Sequence, residues 1–169
     1  AAGVFTRNRF AGPSVLISRE HLRDRRARAV VVVSKNANVA NGEAGLADAR
    51  ELATGVAGRL GCDPTEVVLA STGVIGRRYP MDRVRAGIEA IPTDVGEADA
   101  DAAARGIMTT DTVPKIAEAA VGSGPARVVG IAKGVGMIEP DMSTLITLLF
   151  TDAEIDADAL DQLFRRVID

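Results

Sequence analysis

A layered α/β domain with a mixed sheet is the architecture this sequence predicts, and three observations carry the prediction. Short β-branched or aliphatic runs alternate with stretches whose apolar residues recur at three- and four-residue spacing. A tip of turn residues, Gly122-Ser123-Gly124-Pro125, separates two candidate strands in the manner of a hairpin. With no Trp, one Tyr and four Phe in 169 residues, the core has to be filled by aliphatic side chains.

In chain order, residues 2–6 and 14–17 read as short strands separated by the turn Ala11-Gly12-Pro13, and Ser18 as the cap of a short polar helix reaching about Arg26. Residues 29–33 form a valine-rich strand, expected to be buried on both faces. The polar loop Ser34-Lys35-Asn36-Ala37-Asn38-Val39-Ala40-Asn41-Gly42 follows. Leu46, Ala49, Ala53, Val56 and Leu60 mark one face of a helix, and Gly61 stands where a helix C-terminus favours left-handed backbone. Residues 67–70 are a second buried strand, ending in Ser71-Thr72-Gly73-Val74-Ile75-Gly76. Pro80 opens a helix with Met81, Val84, Ile88 and Ile91 on one side. Another helix spans Glu97 to Met108, before the turn Thr109-Thr110-Asp111-Thr112. Residues 115–121 and 127–132 flank the hairpin tip, the first arm suiting a helix equally well. Residues 144–150 make a strand, and Asp156 caps a last helix with Leu160, Leu163, Phe164 and Val167 facing inward.

Charge and composition exclude several classes. Lys+Arg (20) and Asp+Glu (23) nearly balance to a formal −3, and no basic block marks a nucleic-acid footprint. The longest apolar runs fall far short of the roughly 18 residues that span a bilayer. Neither end shows a charged-then-apolar leader, and the only cysteine, Cys62, has no partner for an intrachain bridge, so the expected setting is cytoplasmic.

Familiar catalytic patterns fail on inspection. Ser71 lies in Leu-Ala-Ser-Thr-Gly, but Leu69 replaces the first glycine of a nucleophile elbow and no histidine follows. His21, the single histidine, sits among Arg19, Arg23, Arg25 and Arg26 and reads as a surface residue. One His and one Cys do not make a zinc site. Gly134-Val135-Gly136 follows a strand as a dinucleotide fingerprint would, yet Glu139 takes the third glycine's place and Pro140 stands where the helix ought to run.

A threonine nucleophile is the chemical alternative. Its hydroxyl needs a base, and with no usable histidine its own α-amine would serve, with a reference pKa of roughly 7.7 to 8.0. Thr144 has that amine only if the bond Ser143-Thr144 is cut. A lysine- and glycine-bearing loop that delivers a small residue and then Thr at the mouth of a strand suits self-cleavage by hydroxyl attack on the preceding carbonyl.

Three motifs give the sequence a family resemblance. Ser71-Thr72-Gly73-Val74-Ile75-Gly76, Ile107-Met108-Thr109-Thr110-Asp111-Thr112 with Pro114-Lys115, and Gly130-Ile131-Ala132-Lys133-Gly134 through Pro140-Asp141-Met142-Ser143-Thr144 together resemble the ornithine acetyltransferase (glutamate N-acetyltransferase) family. Similarity runs through essentially the whole chain. The Lys35-Asn36-Ala37-Asn38-Val39-Ala40 segment looks more like the branch found in clavulanate gene clusters than the ordinary arginine-pathway enzyme.

The resemblance implies an N-terminal-nucleophile-like, self-processing enzyme. Residues 1–143 would form an α-chain-like segment ending at the cleavage site, and residues 144–169 the start of a β-chain-like one. It implies Thr144 as nucleophile, Thr72 and Gly73 as oxyanion hole, and Thr109, Lys133 and Thr144 as substrate contacts. Acetyl would pass from N-acetylornithine to glutamate with no cofactor, some family members also accepting acetyl-CoA, in a heterotetramer of two α and two β chains. The family's chain begins earlier and runs on into a second half with further substrate contacts, so this segment alone is expected to be inactive. Ser143 departs from the family's usual alanine. Two other readings stay open from residues alone: a related self-processing aminopeptidase or amidohydrolase, and a non-catalytic half that binds a complementary chain.

Overall fold

In the computed structural model, the residues described are 1–92, 99–134 and 144–168. They divide into two compact units, Ala1–Val95 with Asp156–Asp169, and Gly96–Ile155.

The first unit is built on a parallel strand pair. β1 (Ala29–Val33) runs beside β2 (Val67–Ser71) in the register Ala29↔Val67 to Val33↔Ser71. The crossover between them carries α2 (Gly42–Leu60), as parallel neighbours require. Ala49, Leu52, Ala53, Val56 and Ala57 bury one face of α2 against Val67 and Leu69 of β2. Gly61 ends the helix in the left-handed region, φ 65°, as its position in the sequence predicts. α3 (Met81–Glu89) follows Pro80, and Met81, Val84, Ile88 and Ile91 pack onto the same core. β1 itself is half-buried, with Val30 exposed, and not enclosed on both faces as expected.

The start of the chain differs from its sequence reading. No strand forms at residues 2–6, and residues 14–17 lie inside α1 (Pro13–His21). Pro13 fits the first helical position, where its fixed φ suits the helix and its missing N–H costs nothing. The Gly12 carbonyl then accepts from both Val15 and Leu16, closing the first turn. Ser14, Ile17 and Ser18 form the buried face. Ser18 caps nothing: its hydroxyl both donates to the Leu69 carbonyl at 2.8 Å and accepts the Leu69 N–H at 2.7 Å. A helical turn, Leu22–Asp24, ends at Arg25 with φ 58°, one residue before the expected stop.

The second unit is a three-stranded antiparallel sheet with β4 in the middle. β3 (Lys115–Ala120), β4 (Arg127–Lys133) and β5 (Ile146–Thr151) pair in the order β3-β4-β5. The ambiguous first arm of the hairpin is thus a strand. β5 begins two residues later than the sequence suggested, leaving Thr144 just outside the ladder. α4 (Ala100–Ile107) is capped by Asp99, whose Oδ1 accepts from Ala102 at 2.9 Å. It is shorter than predicted, stopping before Met108, and Glu97 lies outside the described residues. Ala104 and Ile107 of α4, Ile131 and Ile146 are buried.

α5 (Ala157–Ile168), part of the first unit, starts under Asp156, whose Oδ1 accepts from Asp158 and Ala159. Arg25 pairs with its Asp158 and Asp161. Leu160 and Phe164 are half-buried, but Leu163 and Val167 are exposed, contrary to the inward face expected. No described helix is long and apolar enough to cross a membrane.

Leu52 is 2% exposed in the α2–β2 core. Leu52→Ala is expected to cost about 2–5 kcal/mol through lost transfer energy and a residual cavity. Urea unfolding followed by circular dichroism measures it, and a loss below about 1 kcal/mol would place Leu52 outside the stabilising core.

Candidate active site

Where β2 ends, two loops lock together. Thr72 N–H donates to the Val33 carbonyl at 3.0 Å, Val74 N–H to the Lys35 carbonyl, Ala37 N–H to the Val74 carbonyl, and Gly76 N–H to the Val39 carbonyl at 2.8 Å. The approach is so close that a Cβ on Gly73, at φ 129°, would lie 2.2 Å from the Lys35 carbonyl carbon. Only glycine tolerates both the dihedral and the contact. The opposing loop holds Lys35, Asn38 and Ala40 at positive φ, a concentration of strain typical of functional loops.

Buried polar groups hold that strained backbone. Asn38, fully buried, donates through Nδ2 to the Gly45 carbonyl and accepts from Asn41 Nδ2. Asn36 and Asn41 donate in turn to the carbonyls of Arg78 and Arg77. Arg78 clamps the buried Asp48 of α2 through Nε at 2.9 Å and a terminal nitrogen at 2.6 Å. The hydroxyls of Ser14, Ser71 and Tyr79 close a mutual triangle beneath the loop. The Thr72 amide is committed to the end of β1 through the Val33 carbonyl. Thr72 is buried and Gly73 exposed.

The second unit gathers charge at one end of its sheet. Lys133, last residue of β4, is 3% exposed and its Nζ donates to the Thr144 carbonyl at 3.3 Å. Gly134 follows at φ 114°, where an added Cβ would lie 2.1 Å from that same carbonyl oxygen. Asp111 turns beneath them with its side chain wholly buried. Its Oδ1 accepts from Gly134 N–H at 2.9 Å and from Lys115 Nζ at 2.6 Å, while Oδ2 faces Thr109 N–H at 3.4 Å.

These contacts set the protonation states. The Gly134 N–H first, then Lys115, hold the Asp111 carboxyl well below the usual carboxylate range, against the opposing effect of burial. Its contribution to stability is therefore present above about pH 4 and is lost as pH falls toward the folded value. Burial pushes Lys133 below the ordinary lysine value, Asp111 draws it back up, and Lys115 pushes it down again.

The residues picked from sequence thus fall into two groups. Lys133 and Thr144 are in contact, with Thr109 beside the same carboxylate. Thr72 and Gly73 belong to the first unit. Residues 135–143, Ser143 among them, lie outside the described residues. The sequence patterns do not single out Asp111, although the polar turn Thr109-Thr110-Asp111-Thr112 ahead of Lys115 contains it. His21 is half-buried and donates from Nδ1 to the Val67 carbonyl at 2.8 Å, a packing role in place of the expected surface one.

A model of the ArgJ family matches residues 1–169. The chain is 56% identical over 169 residues to arginine biosynthesis bifunctional protein ArgJ 2 of Nostoc sp., covering 100% of this chain and 43% of that one. It is 54% identical over 168 residues to glutamate N-acetyltransferase Oat2 of Streptomyces clavuligerus, covering 99% and 42%. Among solved structures it resembles ornithine acetyltransferase complexed with ornithine from Mycobacterium tuberculosis, with TM-score 0.68, 35% identity and coverage of 86% of this chain and 77% of that one. The chain spans less than half the length of these curated relatives.

Gly134→Ala is expected to destabilise by at least about 1–3 kcal/mol, since strain at φ 114° adds to the collision with the Thr144 carbonyl. Gly122→Ala at the hairpin tip, φ 59° with open space around it, is the control for left-handed backbone alone. Equal unfolding free energies for the two variants would show that residue 134 does not need the close approach.

Proposed function

The chain belongs to the ArgJ family, and from that premise we propose that it carries the nucleophile half of a cytoplasmic, self-processing acetyltransferase that moves acetyl from N-acetylornithine to glutamate. The observation that carries the reading is the buried Lys133 held on the carbonyl of Thr144 at the mouth of β5.

The chemistry starts with cleavage of Ser143-Thr144: the Thr144 hydroxyl attacks the Ser143 carbonyl carbon, the C–N bond breaks as an ester forms, and water hydrolyses that ester, leaving a Ser143 carboxylate, the Thr144 hydroxyl and a free Thr144 α-amine. The amine takes the hydroxyl proton as the hydroxyl oxygen attacks the acetyl carbonyl carbon of N-acetylornithine. The tetrahedral oxyanion is received by the Thr72 hydroxyl and Gly73 N–H. Collapse breaks the amide C–N bond, and the ornithine amine leaves with the proton. An acetyl ester on Thr144 remains. The amine of glutamate attacks that ester in the second half, N-acetylglutamate departs, and the hydroxyl is restored. Thr109 and Lys133 contact the substrates, Lys133 supplying a compact positive charge. No cofactor enters, because the acetyl donor is itself a substrate.

Two features of the second unit support a nucleophile created by cleavage. The Thr144 carbonyl lies on the C-terminal side of the cut, so its bond to Lys133 does not depend on the severed peptide. β5 pairs with β4 from Lys133↔Ile146 to Val128↔Thr151, so the ladder holds the new N-terminus where it was made. Residues 1–143 then form the α-chain part and residues 144–169 the beginning of the β chain. The rest of the β chain, carried by a protein of the relatives' length, completes the substrate site in a heterotetramer of two α and two β chains, and the 169-residue segment alone completes neither half-reaction.

In a protein of the relatives' length carrying this segment, Thr144→Ala is expected to abolish both processing and transfer, while Thr144→Ser keeps part of each. Intact-mass spectrometry after incubation with N-acetylornithine reads both steps, and an acetylated alanine variant would refute the assignment. Thr72→Ala is expected to lower kcat by about 10²–10³ with a smaller change in donor KM, because the lost donor acts mainly in the transition state. Steady-state kinetics decides, and a loss confined to KM would remove Thr72 from the oxyanion hole.

A further inference from the structure

The Asp111 carboxylate joins segments that acetyl transfer needs in register. One oxygen, Oδ1, accepts from Gly134 N–H at 2.9 Å and from Lys115 Nζ at 2.6 Å. Gly134 follows Lys133 and itself makes the close approach to the Thr144 carbonyl to which Lys133 donates. The other oxygen faces the N–H of Thr109. A connector turn has no need of a wholly buried carboxylate, which gives up hydration and is retained only with partners such as these.

We propose that Asp111 is a positioning residue for the transfer reaction: it fixes Gly134 so that Lys133 presents its ammonium to Thr144 and the substrate, while Lys115, on the same oxygen, offsets the attraction of Asp111 for Lys133. The catalytic consequence rests on the transfer reading above; the contacts themselves do not.

The electrostatic arrangement is simple enough to test by sign. Among the described residues, Asp111 and Lys115 are the charges that act on Lys133. α4 packs on β4, and its Asp101 and Arg105 pair with each other at the surface. On β3 the remaining charge, Glu118, pairs with Arg127 at the opposite end of β4. β5 carries no titratable side chain. Removing the Asp111 charge therefore makes the Lys133 ammonium easier to deprotonate, and removing the Lys115 charge makes it harder. A residue that merely filled space would produce no such opposition.

The experiment follows the titration of Lys133 in the full-length protein labelled with ¹³Cε-lysine, its NMR signal assigned by disappearance in Lys133→Met. Asp111→Asn is expected to move the midpoint to lower pH and Lys115→Met to higher pH. Asp111→Asn is also expected to lower kcat by up to ~10²-fold, as small misplacements near reacting atoms do, with a smaller change in KM. An unmoved midpoint in Asp111→Asn, or shifts of the same sign in both variants, overturns the proposal. If Asp111→Asn does not fold, Lys115→Met decides alone: a rise supports the proposal and no rise overturns it. Opposite shifts in a protein whose wild type transfers no acetyl would sink the transfer reading and the catalytic role with it. Absent shifts in an active enzyme would sink the positioning role alone.

Discussion

The chain can bring Thr144 against the end of β4 only because residue 134 has no side chain. A carbon placed there would lie 2.1 Å from the Thr144 carbonyl oxygen, far inside any tolerable contact. With that carbon absent, the β4–β5 ladder runs up to Lys133↔Ile146 and leaves Thr144 just beyond it, on the lysine ammonium. The same glycine turns its N–H to Asp111, so one residue serves the approach and the anchoring together. Thr109 and Lys115 come from one stretch of sequence and Lys133 and Thr144 from others, and the contacts of Gly134 and Asp111 collect them.

The first unit solves a comparable problem with different materials. Its strands are short, and its buried apolar core is the helix face from Ala49 to Ala57 packed with Ile17, Val67, Leu69 and Tyr79. The loops at the end of β1 and β2 contribute little apolar burial. They are instead cross-linked by backbone hydrogen bonds and by asparagine side chains that donate to the carbonyls of Gly45, Arg77 and Arg78. Gly73 and Gly134 do the same work in the two units: each lets one strand end run against the backbone of another segment.

What the sequence disclosed follows the strength of its local signals. α2 is legible because its apolar period continues over five turns and Gly61 marks its end. The hairpin is legible because its tip carries the turn residues. α1 is misread because Val15, Leu16 and Ile17 are β-branched or aliphatic in succession, while Pro13 and the buried serines that make it a helix look like turn chemistry. α5 shows the converse, a periodicity that correctly gives a helix while Leu163 and Val167 remain exposed. Of the candidate site, the motifs identified Lys133 and Thr144, which are in contact, but not Asp111. Lys115 and Thr109 are near it in sequence, but the backbone N–H of Gly134 lies 23 residues on, and that contact is what joins Asp111 to the end of β4.

Burial of charge distinguishes those residues from ordinary surface polarity. With 20 basic and 23 acidic residues in the chain, Asp48, Asp111 and Lys133 are the charged side chains that are buried among the described residues. Taking a charge out of water is costly, and replacing buried ionic groups by well-packed apolar ones is often neutral or stabilising. Stability alone therefore gives little reason to keep them. Asp48 holds Arg78 and through it the loop that begins at Thr72 and Gly73. Asp111 and Lys133 meet at Gly134 and Thr144. Asp48 acts from within α2, while Asp111 and Lys133 meet where the end of β4 is held against the backbone of Thr144, and no other charge is buried among the described residues.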